Sequence, residues 1–154
     1  MKNLQPIISK HPVFKSLKKS YIQLIANFAS EANFDTGEYI FHEGEKADKF
    51  FIILHGKISI EALIALEREP IIIQNIGDND ILGWAWLFPP HKWHFNARVI
   101  SPTKVISLDG TVLRIKCEDD HDLGYELMKR FAGIIEQRLR SVRSQNPNMY
   151  AVHA

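Results

Sequence analysis

Between Phe34 and Ile60 the chain reads FDTGEYIFHEGEKADKFFIILHGKISI, where Gly37, Gly44 and Gly56 interrupt short runs of β-branched and aromatic residues. Glycine turns a strand sharply with positive φ at no steric cost, so this spacing predicts tight turns between short strands. The pattern describes a compact roll of antiparallel strands. Strands are expected at Glu38–Phe41, Lys49–His55, Lys57–Leu66, Pro70–Ile76, Phe95–Ile100 and Thr103–Leu108. The segment Ala62–Pro70, with Glu67, Arg68 and Glu69, ends one strand and turns into the next. Gly77-Asp78-Asn79-Asp80 is dense in turn formers.

Helical periodicity appears at both ends. Leu17, Tyr21, Leu24, Ile25 and Phe28 recur at three- and four-residue intervals and predict an amphipathic helix over Lys18–Ala32, with a helical turn around Pro12 and Phe14 docking on the roll. Asp109 is placed to cap a short helix running through Cys117. A longer helix is expected over Asp122–Ser144. Its apolar residues (Leu123, Leu127, Met128, Phe131, Ile134, Ile135, Leu139, Val142) form a stripe broader than one core-facing seam needs. One edge of that stripe is expected to pack on the domain and the other to meet a second copy, giving a homodimer through Leu123–Val142; Met128, Phe131, Ile135 and Val142 have coiled-coil steps. Arg138, Arg140 and Arg143 complement the helix dipole and read as a solvated cationic face.

With 154 residues the chain is expected to be a single domain over 1–154, its core spanning about 9–144 and 145–154 forming a short flexible tail. Hydrophobic residues at 45% and charged residues at 24% argue against disorder, and a net charge of +1 argues against a surface that coats nucleic acid or membrane. Cys117 is the only cysteine, which excludes an internal disulfide and a zinc-ribbon framework and suits a reducing cytoplasm. No secretory pattern opens the chain, and no run approaches the roughly 18 apolar residues of a membrane span. A cytoplasmic location without membrane contact is expected.

Phe34, Gly37, Ile40, Gly44, Asp48, Phe51, Ile53, Gly56, Ile58 and Ile60 match the pattern F-x-x-G-x-x-I-x-x-x-G-x-x-x-D-x-x-[YF]-x-[IV]-x-x-G-x-[VIL]-x-[VI]. The chain thereby resembles the cyclic-nucleotide-binding domain of the catabolite activator family and of cyclic-nucleotide-gated kinases and channels, over nearly all of Ser9–Ser144. The resemblance implies a mainly β fold with flanking helices: a double-stranded antiparallel, jelly-roll-like β-roll with an N-terminal helix and two C-terminal helices. The residues after Ser144 are fewer than the roughly 20 of a helix-turn-helix. The DNA-reading half of a catabolite-activator-type protein is therefore expected to be missing, and direct DNA binding with it.

The resemblance also locates a ligand site. The family pattern is roughly G-E-[LIV]-[GA]-L-x, a variable stretch, then R-[ST]-A; the glutamate holds the ribose and the arginine the cyclic phosphate. The matching residues are Gly83-Trp84-Ala85-Trp86-Leu87-Phe88 and Phe95-Asn96-Ala97. Gly83, Leu87 and Ala97 agree with the family, whereas Trp84 replaces the glutamate and Phe95 the arginine. Each charge-assisted hydrogen bond lost costs about 1.5–3 kcal/mol, which argues against ordinary binding of cyclic AMP or cyclic GMP. Arg98 and Lys92 are candidate replacement cations, although strand alternation puts Arg98 opposite Ala97. The candidate ligand-binding residues are thus Gly83, Trp84, Ala85, Trp86, Phe95, Asn96, Ala97 and Arg98. All three tryptophans lie in this region with Phe88 and Phe95. The cluster reads either as an apolar effector pocket or as a plug filling the nucleotide cavity.

No catalytic residue and no metal ligand is assigned. His91-x-x-His94 and Cys117-x-x-x-His121 lack the converging ligands zinc wants, and Glu43, Glu45 and Asp48 sit in a turn pattern that the roll explains. No phosphate-loop, nucleophile-elbow or redox motif is present. The expected function is a stand-alone, non-catalytic regulatory or sensor module without a resident cofactor, binding a small-molecule effector and acting on a regulatory protein partner. The rival readings are a ligand-free dimeric interaction module with an aromatic-plugged cavity and a cupin-like metalloenzyme.

Overall fold

The computed structural model describes residues 3–63 and 69–145, the last four of these by backbone only. The end of the strand expected over Lys57–Leu66, most of the following turn, the expected tail beyond Gln145, and the side chains of Val142 and Arg143 fall outside that description.

Helix α1 (Gln5–Lys10) and helix α2 (Lys19–Ala26) precede six strands among the described residues. These are β1 (Ala29–Phe34), β2 (Tyr39–Phe41), β3 (Lys49–Ala62), β4 (Ile71–Gly77), β5 (Ile81–Leu82) and β6 (Asn96–Asp109). Helices α3 (Gly110–Asp119) and α4 (His121–Gln145) close the chain. All pairings are antiparallel: β6 pairs with β1, β2 and β3, and β3 also takes β4 and β5. This is the β-roll with an N-terminal helical segment and two C-terminal helices.

Lys49–His55 and the described start of Lys57–Leu66 form one strand that ends at Ala62, and Phe95–Ile100 and Thr103–Leu108 merge into another, Asn96–Asp109. Gly56, at φ 138°, lets β3 bend through a series of register shifts against β6 instead of ending. Any Cβ there would overlap the Thr103 side chain. The predicted helix over Lys18–Ala32 is too long. It stops at Ala26, and Ala29–Phe34 pairs with Leu108 through Thr103 of β6. Local helix propensity yields there to sheet pairing.

Two cores result. On β3, Phe50 and Ile52 face the helices, where Ile8, Phe14, Ile25, Leu113, Leu127 and Phe131 gather, while Phe51 and Ile53 face the roll interior with Phe41, Ile58, Ile76 and Val105. The uninterrupted apolar run of β3 thus reflects burial on both faces. The capping expectation at Asp109 holds, since its side chain accepts from Val112 N at 3.0 Å. Asp120 does the same for α4, accepting from Asp122 N and Leu123 N.

Helix α4 divides its wide apolar stripe. Leu123, Leu127 and Phe131 are buried, four residues apart, whereas Met128, Ile135 and Leu139 are exposed. The Arg130 guanidinium fastens the N-terminal turn to this helix, donating to the carbonyls of Val13 at 2.9 Å and Lys15 at 2.6 Å.

Candidate functional site

After β5 the chain turns at Gly83 (φ 99°) into a single 3-10 turn, Ala85–Leu87. Glycine is required there for space as well as for φ, because a Cβ would come within 2.8 Å of the Trp93 ring. Trp93 is itself stacked on Phe41, with centroids 3.8 Å apart and planes 8° from parallel. The stack forms part of the wall of an open cleft of about 380 Å³.

The inner wall of that cleft comes from the roll, through Ile60 of β3 and Ile73 and Gln74 of β4. Gly83, Trp84, Ala85 and Phe95 line it from the turn side, and Ile135, Arg138 and Leu139 of α4 line the outer side. The cleft therefore lies between the roll and the last helix. It is mostly apolar, and its size suits a small organic molecule.

The structure brings half of the expected site residues together here. Trp86 goes elsewhere: it is fully buried, stacks on Phe50 at 4.9 Å and meets the edge of Phe131 at 5.9 Å. Its carbonyl accepts a hydrogen bond from the Arg114 guanidinium. Ala97 is buried inside the roll, and the Asn96 side-chain oxygen accepts from Glu43 N at 2.7 Å. Arg98 lies across from Ser59 on the strand face opposite Ala97, and its Nε donates to Glu61 at 2.9 Å. Glu61 is 1% exposed, so the carboxylate needs that cation as a partner. Lys92 forms an isolated backbone bridge with Lys46 and is not part of the cleft lining. The aromatic cluster is thus not one pocket: Trp84, Trp93 and Phe95 line the cleft, Trp86 is core, and Phe88 is 58% exposed.

Arg138 corrects the expected solvated cationic face. Its guanidinium carbon lies 5.6 Å from the centre of the Trp84 ring, a cation–π contact at the mouth of the cleft. Burial lowers its pKa from the ordinary arginine value, with Asp80 acting in the opposite sense. Only Arg140 of the expected group is described in a solvated pair, with Glu136 at 2.9 Å. The signal for Arg138 was present in the sequence, since it stands seven residues, or two turns, after the buried Phe131 and so on the same helix face.

A second cavity of about 480 Å³ lies where the N-terminal turn meets α4, lined in part by His11, Asp80, Arg130 and Gln137. His11 Nδ1 accepts from Val13 N at 3.2 Å, which puts the ring proton on Nε2, facing the Asn79 carbonyl. Among the described residues no group of three histidine, cysteine or acidic side chains is arranged to hold a metal ion. The Cys117 thiol is pushed up to about 11, first by burial and then by Asp120 and Glu118, which makes it a poor nucleophile at neutral pH. No helix among the described residues is long and apolar enough to cross a membrane.

A profile of the cyclic nucleotide-binding domain matches residues 31–120. A CRP-like cAMP-activated global transcriptional regulator from Mycobacterium tuberculosis is 25% identical over 137 residues, covering 89% of this chain and 59% of that protein. The chain thus spans about three-fifths of that relative's length. The cGMP-dependent protein kinase egl-4 of Caenorhabditis elegans is 31% identical over 80 residues, covering 52% of this chain and 10% of the kinase. Among solved structures, a candidate cyclic nucleotide-binding protein from Geobacter metallireducens superposes with a TM-score of 0.78 at 27% identity, over 90% of this chain and 99% of that one. A cyclic nucleotide-binding domain from Methylobacillus flagellatus, at TM-score 0.77 and 15% identity over 96% of this chain and 82% of that one, shares the fold.

Proposed function

This chain belongs to the cyclic nucleotide-binding domain family, and from that premise we propose that it is a non-catalytic sensor module whose effector is a small, largely apolar molecule. The observation that carries this reading is the open cleft of about 380 Å³ between the roll and α4, with Trp84, Trp93 and Phe95 on its wall. A cavity filled by its own aromatic rings would have left no such space, which favours the sensor over the plugged interaction module. Trp84 and Phe95 stand where the resembling family carries its ribose-binding glutamate and phosphate-binding arginine, so an ordinary cyclic nucleotide finds neither partner there.

The cleft has one wall on the roll and the other on α4. A ligand that bridges the two binds one helix position better than another and shifts the population toward it. The exposed Met128, Ile135 and Leu139 give that movement a reader, because apolar residues clustered on a solvent-facing helix edge mark an interaction surface. A second copy of the chain is the proposed partner, with a regulatory protein as the downstream recipient.

The test combines native mass spectrometry of the purified protein with tryptophan fluorescence during a metabolite screen. A Trp86→Phe background removes the core reporter and leaves Trp84 and Trp93 at the cleft. The expected result is an effector that shifts their emission and whose binding is weakened by Trp84→Ala. No co-purifying molecule and no compound that moves the emission would overturn the sensor reading in favour of the ligand-free interaction module.

A further inference from the structure

Two hydrogen-bond donors in the cleft wall are buried without an acceptor. Arg138 Nη2 and the indole Nε1 of Trp84 both lack a partner, and both residues line the cleft. They are neighbours, with the guanidinium carbon 5.6 Å from the indole centroid. Leaving a donor unpaired out of water forfeits its hydration for nothing, and more so for a charged one. Among the described residues Arg138 makes no ion pair, unlike Arg98 with Glu61 and Arg140 with Glu136. The ring face of Trp84 holds the cation in place but accepts none of its in-plane N–H bonds.

The surrounding wall says what else the partner must be. Phe41, Ile60, Trp93 and Phe95 offer apolar and aromatic surface, and besides Arg138 the described polar side chains are Gln74 on the roll side and His94 beside Phe95. A ligand that satisfies both regions has an apolar, flat body and a single acceptor group with negative charge. Guanidinium groups recognise carboxylates through paired N–H donors in one plane, which suits a group approaching Arg138 from the cleft.

We propose that the effector is an organic anion, an aromatic or otherwise flat apolar body bearing one carboxylate, with the carboxylate held by Arg138 and the Trp84 indole N–H and the body lodged between Trp93, Phe95 and Ile60. This assignment rests on the sensor reading of the cleft and specifies its ligand. It moves the anion-recognising charge from the roll, where the family resemblance expects it, to the last helix. Ligand charge then pulls directly on α4, so occupancy and helix position are coupled through one side chain.

The experiment is calorimetry on the full chain with matched acid and amide pairs built on phenyl, indole and naphthalene rings, in which only the charge of the head group differs. The best-fitting acid should bind at least about tenfold more tightly than its amide, the value of one charge-assisted hydrogen bond. Arg138→Gln should abolish that preference and Arg138→Lys restore part of it. Trp84→Phe should weaken the acid more than the amide. The circular dichroism spectrum of Arg138→Gln should match that of the wild type, because the guanidinium Nη2 has no hydrogen-bond partner to lose. Equal affinity of acid and amide for the wild type would overturn the anion assignment and leave the apolar cleft standing. A preference that survives Arg138→Gln would overturn it too, by placing the charge recognition elsewhere. Binding of neither member of any pair would count against the effector reading itself, and this assignment would go with it.

Discussion

Arg138 of the last helix sits over the ring of Trp84 at 5.6 Å, joining the closing helix to the turn that follows β5. Trp84 is held in turn by an edge contact with Phe131, 5.3 Å away and two turns before Arg138 on the same helix. One helix face therefore presents a buried ring to the core and a cation to the cleft. The helix that packs Phe131 into the core is also the one that lines the cleft.

Cyclic nucleotides should bind poorly. In the proposed correspondence Trp84 and Phe95 take the places of the family's carboxylate and guanidinium, and Arg98 is committed to Glu61 at 2.9 Å. Each lost charge-assisted bond weakens binding by about 1.5–3 kcal/mol. Calorimetry with cyclic AMP and cyclic GMP should show no affinity in the micromolar range, and a micromolar isotherm for either would refute the substitution argument.

Trp86 should behave as a core residue. It is fully buried against Phe50 and Phe131, and Gly110 has no room for a Cβ beside it. Trp86→Ala should destabilise the protein by about 3–5 kcal/mol in urea unfolding. A loss below about 1 kcal/mol would show that the ring is not part of a packed interior.

Assembly should depend on the exposed edge of α4. Met128 is 37% and Ile135 39% exposed, on a helix whose Leu123, Leu127 and Phe131 are buried. The double variant Met128→Glu, Ile135→Glu should be monomeric in light scattering where the wild type is dimeric. A wild type that stays monomeric at high concentration rules this surface out as a self-association face.

Acid should loosen the N-terminal turn through His11. Burial lowers its pKa below the ordinary 6.5, opposed by the hydrogen bond to Asn79 and by Asp80, and Arg130 lines the same cavity. The unfolded chain therefore binds the proton first. The stability from neutral His11 is complete above about 6.5 and is lost as pH falls through the lower folded-state value. The urea midpoint should drop between about pH 7.5 and about pH 5, and the drop should be shallower in His11→Asn. Identical pH slopes in the two proteins would mean that His11 is not the group responsible.

Local chemistry was legible in the sequence wherever one residue type answers one backbone demand. Gly37, Gly44 and Gly56 all adopt positive φ, and Asp109 caps α3 as its position predicted. The roll, the closing helices and the family followed from such short-range rules, together with a pattern running from Phe34 to Ile60. What those rules could not assign was the direction in which a side chain faces once elements pack. Ala29–Phe34 has no strand signal of its own and becomes a strand only because β6 offers a paired edge.

The sequence by itself determined that this chain builds a glycine-turned roll, because the turns are written in residues and their spacing. Only the tertiary structure decided that Trp84 and Trp86, two positions apart, go to the cleft and to the core respectively. It also decided that Arg98 neutralises a buried glutamate while Arg138 lines the cleft with its Nη2 unpaired. The physical reason is that burial and charge pairing depend on distances between segments far apart in the chain. Arg138 meets Trp84 only after α4 has folded back across the roll.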